Sequence, residues 1–148
     1  MRLSRPLALV CAAILTVSSA SALTATHSSQ NIYVYNQKSD LSSYDVNGNN
    51  YVRARDFARV TGCSLVYDPD TSSISLTSGE SYDTSVESNP VETASKAYAR
   101  PTLQTVYINS QKTDIQGYSI SGYNYFKLRD LGRAFDWSVV YNGAQKRV

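Results

Sequence analysis

The chain has 148 residues, of which 42% are apolar and 18% charged, and this balance fits one or two small folded domains. Seven Gly, four Pro and two Cys are too few for a collagen-like, a proline-rich or a disulfide-dense protein. The formal net charge of +2 becomes zero without the first 22 residues, because two arginines and no acid lie there. A neutral chain with interspersed charges argues against a nucleic-acid partner.

Residues 1–22 have the three parts of a secretory signal peptide: two arginines, an apolar run at Pro6–Val17, and an Ala-x-Ala site at Ala20 and Ala22. The apolar run is shorter than the roughly 20 residues that span a bilayer. Cys11 lies inside this run without the small preceding residue of a lipoprotein site, which disfavours a lipid anchor. We therefore expect a secreted or cell-envelope-associated protein that keeps no transmembrane span after cleavage.

An internal repeat organises the rest of the chain. A shift of 74 positions superimposes Ile32–Ile74 on Val106–Val148 without a gap. Matched identities include Tyr33 with Tyr107, Tyr44 with Tyr118, Gly48 with Gly122, and Arg55-Asp56 with Arg129-Asp130. The predicted divisions are a signal peptide at 1–22, a polar lead-in at 23–31, a first repeat at 32–77, a linker at 78–104 and a second repeat at 105–148.

Each copy predicts the same series of elements. In the first copy these are a strand at Ile32–Tyr35, a strand at Tyr44–Val46, a Gly-containing turn, a helix and a hairpin at Ser64–Leu76. The helix places Ala54, Phe57, Ala58 and Thr61 on one face in the first copy, and Leu128, Leu131, Gly132 and Phe135 in the second. Gly62 is well placed to end the first helix in a left-handed turn.

The two copies differ after the helix. The second copy repeats the first hairpin arm at Ser138–Tyr141 and turns at Asn142-Gly143, but it lacks counterparts of Ser75, Leu76 and Thr77. Either the last strand is short or the chain is a truncated version of a longer protein, with a shortened sheet edge as a stability liability. The predicted linker carries no clear period and is expected to be exposed, with a helical turn at Val91–Ala99.

The helix and the turns around it are recognisable. The stretches are Asn-Tyr-Val-Arg-Ala-Arg-Asp-Phe-Ala-Arg-Val-Thr-Gly and Asn-Tyr-Phe-Lys-Leu-Arg-Asp-Leu-Gly-Arg-Ala-Phe, each followed by a Val-x-Tyr hairpin arm. The repeated unit resembles the copper amine oxidase N-terminal-like domain, or stalk domain, of exported Gram-positive bacterial proteins. The resemblance implies an α+β fold of two tandem repeats, each a small antiparallel β-sheet with one α-helix packed across it. It does not imply amine oxidation, because copper and the cofactor-forming tyrosine belong to a separate catalytic domain.

The sequence offers few reactive groups. His27 is the only histidine and cannot alone supply a copper site. Cys63, the one cysteine after cleavage, has no nearby histidine in sequence and is expected to be a small buried group. Asp68-Pro69-Asp70 predicts a turn rather than a calcium site, since its counterpart Asn142-Gly143-Ala144 supplies no acid. We expect a non-enzyme with no catalytic, cofactor or metal site.

Five residues are candidates for ligand binding: Tyr33, Tyr35, Tyr107, Arg55 and Arg129. Tyrosine rings on an open sheet could stack on sugars or on a partner protein, or they could cover a sheet face or the contact between the copies. The repeated Arg-Asp pairs could mark two ligand sites, or the Arg stems could simply pack on the fold. Both alternatives stay open at this point.

The leading hypothesis is a secreted, non-catalytic cell-envelope module that binds a partner or acts as a spacer. One alternative is the accessory part of an envelope hydrolase or oxidase whose catalytic domain is absent from this chain. Another is a cell-wall glycan-binding module that uses its tyrosines. The expected partners are cell-wall polysaccharide or another envelope protein.

Overall fold

The structure, a computed structural model, describes residues 22–85 and 94–148. The predicted signal peptide, apart from Ala22, and the first three residues of the predicted helical turn lie outside the described residues. The strands are β1 (Leu23–His27), β2 (Tyr33–Val34), β3 (Gln37–Lys38), β4 (Ser43–Val46), β5 (Asn49–Arg53), β6 (Ser64–Asp68), β7 (Ser73–Thr77), β8 (Lys96–Pro101), β9 (Thr105–Ile108), β10 (Gln111–Thr113), β11 (Gly117–Ile120) and β12 (Tyr123–Lys127). The helices are α1 (Ala54–Thr61) and α2 (Leu128–Ala134), and a 3-10 turn spans Gly143–Gln145.

Six antiparallel strands close a barrel in the order β1-β4-β5-β12-β11-β8, with three strands from each half of the chain. The predicted fold class is therefore wrong: the described chain is mostly β with one shared barrel, and it is not a pair of α+β repeats with a sheet each. The physical reason is the cost of unpaired sheet edges. Each three-stranded half has two such edges, and both halves satisfy them by pairing with each other.

The barrel register relates the two halves by a pseudo-two-fold axis. At one seam Val52 of β5 lies opposite Phe126 of β12, and these are equivalent positions of the repeat. At the other seam Thr24 of β1 lies opposite Tyr98 of β8, which are also 74 positions apart. The repeated unit therefore includes β1 and β8. These strands fall in the stretches predicted as a polar lead-in and a linker, so Lys96–Pro101 form a strand where a helical turn and exposed linker were expected.

Tyrosines fill the interior of the barrel. Tyr44 and Tyr125 meet edge to face with ring centroids 5.4 Å apart, and Tyr51 and Tyr118 repeat this contact at 5.0 Å. The hydroxyl of Tyr44 donates to the carbonyl of Ala94. The other buried side chains of this cluster are Ala25, Val46, Ala99 and Ile120. These four rings join the two halves of the chain.

A second core lies outside the barrel. Both helices cross the β5–β12 seam and cover Val52 and Phe126, each fully buried. The predicted helix faces are confirmed, since the buried positions are Ala54, Phe57 and Ala58 in α1 and Leu128, Leu131 and Gly132 in α2. Gly62 ends α1 with φ of 74° and donates its N–H to Ala58, as predicted. Neither helix has the length and hydropathy to span a bilayer, among the residues the structure covers.

A four-stranded sheet of order β10-β9-β7-β6 packs on this second core. Its central pair, β7 and β9, is parallel and joins the hairpin of the first copy to the hairpin of the second. The pseudo-symmetric counterpart is incomplete, because β2 and β3 form only a two-stranded sheet. The predicted arm at Ser138–Tyr141 is not a strand. In the first copy that arm pairs with β7, whereas the second copy carries only Arg147 and Val148 in the matching place.

The turns at the tips of the hairpins use short polar residues. Asp68 accepts hydrogen bonds from the backbone N–H of Asp70 and from the backbone and hydroxyl of Thr71. These bonds lower the pKa of Asp68, with the Thr71 hydroxyl as the largest cause. The carboxylate that could have indicated calcium is therefore engaged in the predicted turn.

The first prediction concerns a volume exchange between the copies. Ser43 lies opposite Val52, whereas Gly117 lies opposite Phe126. A Cβ at Gly117 would come within 2.5 Å of the Phe126 ring, so Gly117→Ser should lower the free energy of unfolding by about 1–3 kcal/mol. Adding Phe126→Val should recover part of this loss, because the pair then matches Ser43 and Val52. Urea denaturation of both single variants and the double variant measures the coupling, and strictly additive losses would contradict the exchange.

The second prediction concerns alkaline pH. Burial, followed by the nearby Tyr118, raises the pKa of Tyr51 to about 12, and burial raises the pKa of Tyr125 to about 12. Since the unfolded chain releases these protons near pH 10, stability is complete below about pH 10 and falls as the pH rises towards 12. Urea denaturation from about pH 8 to about pH 12 should show this fall. The Tyr51→Phe/Tyr125→Phe variant should show a shallower fall, and an unchanged slope would contradict the assignment.

Candidate functional site

A groove of about 720 Å³ opens on the side of the second core where the sheet is incomplete. We call it the terminal groove. Its walls are the β2–β3 hairpin at Tyr33–Asn36 on one side and Ser138–Val140 on the other. Its remaining lining comes from Ile32, Leu41, Phe57, Thr61, Leu128, Gly132, Asp136, Trp137, Asn142, Gln145, Arg147 and Val148.

Aromatic rings form much of the floor of the terminal groove. Trp137 stacks on Phe135 with ring centroids 4.8 Å apart, and Phe57 lies 5.9 Å from Trp137. The chain reaches this position because Asp136, the second residue after α2, adopts a left-handed conformation, and the backbone N–H of Trp137 donates to Gly132. Trp137 stays partly exposed on the groove side, so the floor offers apolar contact to a ligand.

Gly132 lets the far wall approach α2. A Cβ there would lie 2.4 Å from Cγ2 of Val139 and 3.3 Å from the carbonyl oxygen of Trp137. The equivalent position in the first copy is Ala58, so the second copy lacks the methyl group that would clash with Val139. The width of the terminal groove therefore depends on this glycine.

The end of the chain forms the start of a parallel pairing with β2. The backbone N–H of Asn31 donates to the carbonyl of Lys146, that of Val148 donates to Asn31, and that of Tyr33 donates to Val148. The guanidinium of Arg147 lies 4.1 Å from the ring centroid of Tyr33. One end of the groove is thus closed by backbone hydrogen bonds and a cation–π contact.

The chemistry that this arrangement favours is binding. Apolar and aromatic side chains line the terminal groove between two stretches of backbone, and the charged side chains at its border are Asp136 and Arg147. Among residues 22–85 and 94–148 no group of three or more His, Cys, Asp and Glu is placed to hold a metal ion. Cys63 is buried as predicted and accepts a hydrogen bond from the Thr61 hydroxyl.

Two of the five candidate residues come together in the terminal groove. Tyr33 is half-buried beneath Arg147, and Tyr35 is 75% exposed at the hairpin tip. Tyr107 lies on β9 of the other hairpin, opposite Ser75. The structure therefore does not unite the three tyrosines on one surface of the groove.

The two candidate arginines lie on the helices. Arg129 is exposed and borders two smaller depressions of about 380 and 430 Å³ beside the terminal groove. Arg55 is half-buried on α1. The Asp56 that follows it accepts two hydrogen bonds, at 2.7 and 2.8 Å, from the buried Arg53. This ion pair connects α1 to β5 and occupies the carboxylate of Asp56.

Sequence reasoning missed most residues of the terminal groove. Leu128 was predicted on a helix face and Val139 on a hairpin arm, and Trp137 was assigned to no element. One signal was available, because the repeat alignment lacks counterparts of Ser75–Thr77. Strands β6 and β9 flank β7, and the residues equivalent to these two strands form the walls of this groove.

Comparison of the chain with protein-family models, curated proteins and solved structures finds no match. The site is therefore interpreted from its own geometry.

The third prediction tests the groove wall. Gly132→Ala should lower the free energy of unfolding by about 1–3 kcal/mol through contact with Val139, despite the higher helix propensity of alanine. It should also displace Ser138–Val140 and expose Trp137, the single tryptophan, to a neutral quencher of its fluorescence. Adding Val139→Ala removes the clashing methyl group and should restore part of the stability. A Gly132→Ala variant as stable as the parent would refute this account of the wall.

Proposed function

We propose that this chain is an exported, non-catalytic binding module of the bacterial cell envelope that contacts its partner through the terminal groove. The signal-like segment at 1–22 supports export. The resemblance of the repeated unit to the stalk domain of exported Gram-positive proteins supports an envelope setting, although the fold it implied has been corrected. The observation that carries the binding role is the aromatic floor at Phe57 and Trp137 between two backbone walls.

The groove has the properties of a recognition site. It is concave and lined by apolar and polar residues with the apolar ones in the majority, a combination typical of binding pockets. Its rim carries Tyr35, whose ring is largely exposed and can add contact area with little loss of side-chain entropy. A spacer alone would gain nothing from an exposed aromatic rim next to an apolar floor.

A second candidate function is binding of cell-wall glycan. The specific observation in its favour is that Tyr35 and Trp137 both line the same groove, and aromatic faces can stack on sugar rings. Of the five candidate ligand-binding residues, only Tyr33 and Tyr35 line the groove and would contact the glycan under this alternative. The two candidates differ in whether the proteins of the envelope are needed for retention.

The fourth prediction tests both candidates. The chain from Leu23 onward, which holds every described strand and helix, should be retained on isolated Gram-positive cell wall that keeps its proteins. Retention should persist at raised ionic strength, because the groove contact is mainly apolar. Retention that survives removal of the proteins from the wall would select the glycan alternative. Retention on neither the protein-containing nor the protein-free wall would refute the proposed function.

A matched pair of variants locates the contact. Tyr35→Asn copies its counterpart Asn109, which shares the left-handed conformation, and should weaken retention by roughly tenfold through loss of a rim aromatic. Tyr98→Thr copies Thr24 and removes a tyrosine that is 72% exposed on the barrel, so its retention should match the parent. Equal losses in both variants would contradict the assignment to the groove.

A further inference from the structure

The edges of the described sheets differ in how they are protected against a further strand. The barrel is closed and has no edge, and the β2–β3 sheet has only two residues in each strand. One edge of the four-stranded sheet is β10, with three polar residues that include Lys112. Short length and a lysine both discourage another chain from pairing at an edge. These places are therefore poor sites for strand pairing.

The other edge of the four-stranded sheet, β6, lacks this protection. Its five residues are Ser-Leu-Val-Tyr-Asp, so the centre of the strand is apolar. Its inner side pairs with β7, and within residues 22–85 and 94–148 no strand pairs with its outer side. Val66 and Tyr67 are 59% and 50% exposed. A row of backbone N–H and C=O groups beside exposed apolar side chains is suited to pair with another strand.

The two copies carry the same exposed residues at this position. The counterparts of Val66 and Tyr67 are Val140 and Tyr141, which are 69% and 52% exposed. Packing within the described chain does not account for this identity, because none of the four side chains is buried. In the first copy β7 is already paired with β6, and the two side chains are still exposed. The open side of β6 is therefore independent of how the second copy is completed.

We propose that β6 pairs antiparallel with β6 of a second copy of this chain, which joins two four-stranded sheets into one continuous sheet. A two-fold axis at Val66 places this residue opposite its own copy and Leu65 opposite Tyr67. The ends of the strand then meet as Ser64 with Asp68, so no two like charges lie opposite each other. All five residues of β6 take part in this register.

The side chains of β6 suit this pairing on both faces of the sheet. Leu65 and Tyr67 lie opposite buried residues of β7, so they point towards the second core. Leu65 is only partly buried there, and the ring of Tyr67 from the other copy would cover it. Val66 points to the opposite face, where it would meet its own copy. The contact would thus bury apolar surface on both faces, which favours association.

A second copy of this chain is the partner that fits β6, because the strand is complementary to itself in one register. A register centred on Asp68 would place two carboxylates opposite each other. A register centred on Tyr67 would bring Pro69, which has no N–H to donate, into the ladder. The fold already contains this geometry, since β5 and β12 are equivalent strands that pair antiparallel about the pseudo-two-fold axis. The contact between two molecules would be isologous in the same sense.

Opposed charges test the contact in the chain from Leu23 onward. Val66→Lys places two lysines opposite each other and should weaken the dimer by roughly tenfold or more. Val66→Glu should do the same, whereas an equimolar mixture of the two variants should form a heterodimer. Val140→Lys changes the equivalent exposed valine and should leave dimerisation unchanged. Sedimentation velocity over a series of protein concentrations measures each dissociation constant, and far-UV circular dichroism checks that every variant is folded.

Disulfide trapping tests the register. In Val66→Cys the two new thiols lie opposite each other with Cβ atoms about 5 Å apart, which a small adjustment brings into disulfide range. Oxidised glutathione is the oxidant, and each disulfide formed between two chains releases two molecules of reduced glutathione. Val66→Cys should give a covalent dimer on a non-reducing gel, whereas Val140→Cys should not. Cys63 is buried, so the parent chain should give no covalent dimer.

Three outcomes would overturn the inference. They are a parent chain that stays monomeric at every concentration, a mixture of the Lys and Glu variants that is no more dimeric than its components, and equal losses in Val66→Lys and Val140→Lys. The inference goes beyond the proposed function, because both measurements use the purified chain without cell wall. A dimer that is retained on no wall fraction would refute the proposed function and leave the β6 contact standing.

Discussion

The pairing of sheet edges is the constraint on which the rest of this structure depends. A three-stranded half-sheet of about 30 to 50 residues has too little surface to bury and leaves two rows of backbone groups without partners. The two copies remove both difficulties by closing one barrel. The seam between β5 and β12 is the surface on which both helices pack, so closing the barrel also positions the helices of the second core.

Closure also explains the unusual use of tyrosine. The barrel interior has to be filled by side chains from six short strands, and Ala25 and Ala99 leave room for four large rings. The rings meet edge to face across the two copies rather than within one. The copies diverge in paired steps at this seam, such as Ser43 with Val52 against Gly117 with Phe126.

Much of the local structure could be predicted from the sequence. The period of α1, the left-handed end at Gly62, the turn at Asp68 and the burial of Cys63 all follow from short-range chemistry, and the structure confirms them. The barrel could not be predicted in this way, because β1 and β8 share little beyond Ala25 and Ala99. Their strand conformation depends on partners that lie far away in the chain.

The terminal groove is a second feature that could be predicted from the sequence only in part. Tyr33 and Tyr35 were identified as candidates because their alternation marks an outward face, but Trp137 reaches the groove only through the reversal at Asp136. No periodicity predicts such a reversal. The repeat alignment held the missing information, since a residue that is buried by β7 in one copy has an equivalent that is open in the other.

The pseudo-two-fold axis has a consequence for the origin of the chain. Both seams place equivalent residues opposite each other, Val52 with Phe126 and Thr24 with Tyr98, which is the geometry of an isologous contact. A polypeptide with one copy of the unit would meet the same geometry by joining a second identical molecule. The present barrel therefore has the geometry of a symmetric homodimer whose two halves are joined in one chain. Fusion frees each half to change alone, as the pairs Ser43 with Val52 and Gly117 with Phe126 illustrate.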